Sequence, residues 1–451
     1  MDHDQQYVVG TASVIVGLVL ARAFRRDFDP FAPIWLFLTG YFHVYVIQAT
    51  MHRDWAINVR GVDVTTAANA RAFWALLWFL AVYYSGIGKV IAGRLPRAPR
   101  SWSPGIVMTL VPLLVGWGLA SAWLVLRRWS GDDPNLMSSE QRLMLQFPTM
   151  QLVAGILLIV TGRQPNRPRP ALTMAGLAIT LSYTLIWMYF GKRSHSLFGI
   201  LTAFAAWYLP RYRRPSIGTI ATAAGIGCLV VAVAIGWRIQ HNRSKEGGID
   251  TFLEFVTTFD PSEILVSLNL KESTNTQGMP LRYAMSHETK EYGGFLLMMD
   301  TVPHKSDYDY GANYLRLFST WIPRPLWPEK PLFGRDQWKA AWMAGSEFKR
   351  DEKFTGPAIG ILGATQLNGG AIGTLIVLAV VALVIRSGYD YFRYHADTPW
   401  AQAWWALTYF NAWLMTVNDD PAIWFYYLYG HTIFAPMVML WVVHRVTEAT
   451  R

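Results

Sequence analysis

Two aspartates, Asp307 and Asp309, flank a single residue within DTVPHKSDYDYGANYLRLFSTWIPRPLWPEKP, a hydrophilic stretch from Asp300 to Pro331. A carboxylate held beside a hydroxyl acts as a general base, and His304, whose ring titrates near neutral pH, can do the same. An Asp-x-Asp pair can also hold a divalent metal beside a diphosphate, but this pair has no further ligands around it. A general base, or a structural partner for Arg316 or Arg324, is the stronger expectation. Arg316, Arg324 and Lys330 supply the opposite charge in the same stretch. Arginine forks bind phosphate oxygens bidentately, and Arg324 is stiffened by Pro323 and Pro325 on either side. Such cations, set among prolines and aromatics beside apolar runs, suit a substrate with an anionic head group and a lipid tail. An ordinary structured loop is the plainer alternative.

Three smaller groupings carry chemistry-bearing residues. GKRSHS, Gly191 to Ser196, places Lys192, Arg193 and His195 on a tight connection between two apolar runs. It reads as a fixed cationic notch for a phosphate, with the Ser194 hydroxyl as a further donor, or as simple interfacial anchoring by snorkelling side chains. His52, Arg53 and Asp54 follow the second apolar run, where an early outer loop could hold a catalytic acid. Asn418, Asp419 and Asp420 precede Pro421 and read as a turn or helix cap.

The elements that must position these residues are apolar. Of 451 residues, 52% are hydrophobic, 14% aromatic and only 16% charged, which are values of a polytopic membrane protein. The net charge of +10 is spread in short basic clusters between apolar runs, so it marks topology and not a nucleic-acid surface. The single cysteine, Cys228, leaves no intramolecular disulfide to staple a large loop.

The fold expected is all-α, with about eleven transmembrane helices and one large outer loop. The spans fall at 7–23, 31–50, 67–87, 106–126, 143–161, 171–190, 197–209, 217–237, 359–385, 400–415 and 423–443. Three regions follow: an N-terminal bundle over 1–237, a periplasmic loop over 238–356, and C-terminal helices over 357–451. Within the loop, TFLEFVTTFDPSEILVSLN sets Phe252, Phe255, Val256 and Phe259 on one helical face, for a short interfacial helix or a small buried core. The acidic leader MDHDQQ, with Arg22, Arg25 and Arg26 beyond the first apolar run, has the wrong polarity for a cleaved signal peptide. Connections on one side, including Lys89, Arg94, Arg97 and Arg100, carry roughly twice the basic residues of those on the other. That bias predicts an outer N-terminus, an outer loop and a cytoplasmic C-terminus.

Three motifs in order, GKRS, then YGANYLRLFSTWIPRPLWPEKP, then FTGPAIGILGATQLNGGAIGTL, resemble the bacterial oligosaccharide repeat-unit polymerases of the Wzy type. The likeness covers Gly191 to Leu375, with IPRPLWPEKP its most specific part. It implies a GT-C-type glycosyltransferase on the outer face of the inner membrane, moving a growing glycan from undecaprenyl diphosphate to the non-reducing end of a new lipid-linked repeat unit. The expected partners are undecaprenyl-diphosphate-linked oligosaccharides, membrane lipids and a chain-length regulator, with no nucleic acid. Lys192, Arg193, Arg316, Arg324 and Lys330 would hold the diphosphates, and Asp309, then His304 or Asp307, would be the base. No metal and no cofactor is needed on that scheme, because arginines hold the leaving group's charge. The related O-antigen ligases, and a lipid-linked oligosaccharide transporter, are the alternatives.

Overall fold

In the computed structural model the described residues are 2–25, 28–128, 144, 147–211, 214–241, 249–260, 291–312, 314–315, 318, 322, 326–327, 329, 358–417 and 432–450. Among them the chain is all-helical, with no strand. Among the described residues six helices are long and apolar enough to cross a membrane, or seven when one bent pair is taken as a single span. Arg316, Arg324 and Lys330, and Asn418 to Asp420, lie outside the described residues.

The chain gathers into two compact units, the first comprising residues 1–95, 289–393 and 411–428. Its helices are α1 (His3–Phe24), α2 (Pro33–Met51), α3 (Arg53–Arg60), α4 (Val62–Tyr84), α5 (Ile87–Arg94), α12 (Glu291–Thr301), α13 (Gly360–Tyr394) and α15 (Asn411–Val417). α4 and α5 are the bent pair, meeting at 47° where Gly86 takes a left-handed conformation. The region expected as a basic loop after the third span is therefore helical as far as Arg94. Aromatic packing fills the interior: Phe37 stacks on Phe79, and the Tyr41 hydroxyl donates to the Ala72 carbonyl at 2.6 Å.

The second unit comprises residues 96–288, 394–410 and 429–451. It holds α6 (Pro104–Arg128), α7 (Pro148–Gly162), α8 (Pro170–Tyr189), α9 (Arg193–Tyr208), α10 (Ile217–His241), α11 (Ile249–Thr258), α14 (Pro399–Thr408) and α16 (Phe434–Ala449). α7, α8 and α14 each start on a proline, which costs a helix nothing at its first turn. α7 and α8 approach closely through small residues. A Cβ on Gly155 would lie 2.4 Å from the Thr180 hydroxyl, so only glycine permits that spacing. On α11, Phe252 and Phe255 are buried with Trp237 and Met188, so α10 covers the aromatic face that the sequence pattern marks.

Candidate functional site

The hydrophilic stretch and a broken membrane helix meet in the first unit. α13 is interrupted at Gly369 and Gly370, the latter at φ +59°, a conformation open to glycine and strained for other residues. The interruption is a sharp bend. Thr365 and Thr374 share a hydroxyl hydrogen bond of 2.9 Å, whereas nine positions along a straight helix would span about 13 Å. The bend leaves the last carbonyls of the first half-helix in need of donors. The hydrophilic stretch supplies one: the Asp309 N–H donates to the Leu367 carbonyl at 2.9 Å. Asn368 donates its side-chain amide back to the Ala364 carbonyl at 2.8 Å.

Further contacts seat residues 300–309 against this bend. The Gln366 amide donates to the Val302 carbonyl at 2.7 Å. Tyr308 packs on an apolar floor of Leu297, Met298, Val302, Ile359, Ala364 and Leu367. Its hydroxyl lies over the bend, where a Cβ on Gly370 would come within 2.7 Å. Asp300 receives Arg60 at 3.1 Å and Lys305 at 3.2 Å, tying the start of the stretch to α3. The three expected base candidates then sit in one short segment at this seat, His304 and Asp307 exposed and Asp309 half-buried.

A second polar cluster braces the seat from within the unit. Residues His43–Gln48 of α2 form a π-helical turn, a local widening that recurs at functional sites. It presents Tyr45, whose hydroxyl receives the Leu362 N–H at 3.1 Å, and Gln48. The Gln48 amide donates to Glu291 at 2.8 Å and its carbonyl oxygen accepts the Tyr292 N–H at 3.1 Å. The Tyr292 hydroxyl donates to Asn69 of α4 at 2.7 Å. All four of Gln48, Asn69, Glu291 and Tyr292 are buried, and each bond fixes α12, from which residues 300–309 emerge.

Compared with known proteins, the chain matches no protein-family model, no curated protein and no solved structure.

The remaining groupings separate. Arg53 is bound by Asp4 through two contacts of 2.7 and 3.1 Å and by Asp2 at 2.6 Å, so its charge is already neutralised and its role here is structural. Lys192 and Arg193 lie at the start of α9 in the second unit, half-buried, and His195 stacks on Trp187 at 4.1 Å between ring centres. Sequence reading missed Arg71. It stands on α4, where its Nη1 donates to the Gln366 side chain at 3.1 Å and lies 3.5 Å from the Thr374 hydroxyl. The available signal was a cation within the apolar run AANARAFWALLWFLAVYY, which is rare in a membrane helix unless it serves a site.

Proposed function

We propose that the chain is a bacterial inner-membrane glycosyltransferase that polymerises lipid-linked oligosaccharide repeat units. On this reading it has about eleven spans, an outer N-terminus and a cytoplasmic C-terminus, with the short apolar helices α7 and α9 among the spans. The observation that carries it is the seat: an outer segment bearing two carboxylates and a histidine is held by the Asp309–Leu367 bond on a break in a membrane-length helix. A lipid-anchored substrate needs such a place, open to water for its sugars and level with the bilayer for its carrier. The motif likeness from GKRS to the Gly-rich α13 supports the same class.

The chemistry follows from the leaving group. As the acceptor sugar's hydroxyl oxygen bonds to the donor's anomeric carbon, the bond from that carbon to the carrier diphosphate breaks and its electron pair leaves with the phosphate oxygen. Asp309 takes the hydroxyl proton, with Asp307 or His304 as substitutes in that role. By the motif likeness, Arg316, Arg324 and Lys330 offset the diphosphate charge, the interaction that grows most as the bond breaks.

Deletion of the gene tests this in the cell. Surface glycan reduced to single repeat units is the expected result. Glycan of full length that no longer reaches its lipid A core points to a ligase, and repeat units trapped on the cytoplasmic side point to a transporter; either result overturns the reading.

A further inference from the structure

We propose that Arg71 is an anion-binding residue, which receives a phosphate oxyanion at the bend of α13. Three other guanidinium groups in the same unit are neutralised by carboxylates: Arg53 by Asp2 and Asp4, Arg60 by Asp300, and Arg386 by Asp390 at 2.7 Å. Arg71 has no ion pair among the described residues. Its partners, Gln366 and Thr374, are neutral, although it is half-buried in a helix of membrane length. A guanidinium withdrawn from water without a counter-charge is costly, and a site that must take up an anion is a reason to keep it.

The surroundings fit an oxyanion. Thr374 belongs to the first turn of the second half-helix, whose N-terminal end carries partial positive charge. The Gln366 side chain holds the guanidinium from the first half-helix. A further polar atom stands open at the same bend. Asn368 is 5% exposed and its Oδ1 has no hydrogen-bond partner, while its Nδ2 is engaged by Ala364. An open acceptor at the bend suits a hydroxyl donor, such as one on the sugar of a glycosyl diphosphate. Naming a diphosphate rests on the polymerase reading; the anion site itself rests on the geometry of Arg71.

The full chain, purified in detergent, is titrated with inorganic pyrophosphate, undecaprenyl diphosphate and the uncharged polyprenol, following affinity and the thermal midpoint. Both diphosphates are expected to bind and raise the midpoint, and the polyprenol alone is not. Tighter binding of the lipid form assigns the anion to a lipid head group, and equal binding assigns it to a free phosphate; both outcomes retain the site. Arg71→Gln is expected to weaken diphosphate binding by about tenfold or more while the ligand-free midpoint stays level or rises. Unchanged affinity, or a lower ligand-free midpoint with unchanged ligand stabilisation, overturns the proposal. Should Arg71→Gln fail to fold, Arg71→Lys keeps the charge but loses the fork; weaker binding supports the site and wild-type affinity overturns it. Arg71-dependent binding without glycan elongation by the wild type would keep the site and remove the polymerase reading. Elongation unaffected by Arg71→Gln would do the reverse.

Discussion

The main-chain N–H of Asp309 caps the Leu367 carbonyl at 2.9 Å, so a residue expected to act as a base is anchored to the bend of α13 through its backbone. Backbone seat and side-chain chemistry can be separated by substitution. Asp309→Asn preserves the main-chain N–H and with it the cap on Leu367. Loss of the base should cut elongation by about 10²- to 10⁴-fold, measured as initial rates on lipid-linked repeat units. An unchanged rate would remove Asp309 from the mechanism.

Gly370 adopts φ +59° directly beneath the Tyr308 hydroxyl. Gly370→Ala should destabilise by about 1–3 kcal/mol, from left-handed backbone strain and from the close approach to Tyr308. Tyr308→Phe removes the oxygen that the new methyl meets. The double variant should therefore recover part of the loss, a coupling read from thermal or denaturant unfolding in detergent.

Asp4 is 1% exposed and Arg53 about a quarter exposed in their ion pair. Removing the aspartate leaves the guanidinium with Asp2 alone, so Asp4→Ala should lower the thermal midpoint. A double-mutant cycle with Arg53→Ala should show favourable coupling, while elongation per folded molecule stays at the wild-type level. A specific loss of activity in Arg53→Ala at unchanged stability would instead mark Arg53 as part of the chemistry.

Glu448 accepts the main-chain N–H groups of Ser101 and Arg100 and pairs with Arg445 at 3.1 Å. The Ser101 hydrogen bond is the largest influence holding this carboxyl below its ordinary range. Because the folded value is depressed, the stabilisation is complete above the unfolded carboxyl's pKa, near 4.3, and is lost as pH falls through the folded value. Amide exchange in residues 96–103 should accelerate in that acid window in the wild type. Glu448→Gln should show faster exchange at neutral pH and little further change on acidification.

Much of this architecture is legible in the sequence because membrane helices are set by long apolar runs and closed by prolines. The run after Pro170 becomes α8 almost to the residue, and α1, α6 and α10 follow their apolar stretches. Hydropathy does not reveal where a helix turns back. The run from Ile359 to Ile385 reads as one continuous span, yet the adjacent glycines Gly369 and Gly370 bend it until Thr365 touches Thr374. Likewise 400–415 reads as one span and is two helices, Pro399–Thr408 and Asn411–Val417. For the site, the acidic segment His304–Asp309 was legible from its polarity. Arg71, five residues into the expected span at 67–87, reads first as a topology marker, and only the fold brings it to the bend of α13. Neither Arg324 nor Lys330 lies among the described residues, and Arg193 belongs to the other compact unit, so their expected roles rest on the motif likeness.

The most direct test supplies the purified chain with undecaprenyl-diphosphate-linked repeat units and separates the products by length. The account predicts a ladder rising by one repeat unit per step, with carrier diphosphate released at each. Absence of any product longer than one unit, in protein whose fold and substrate binding are intact, would contradict it.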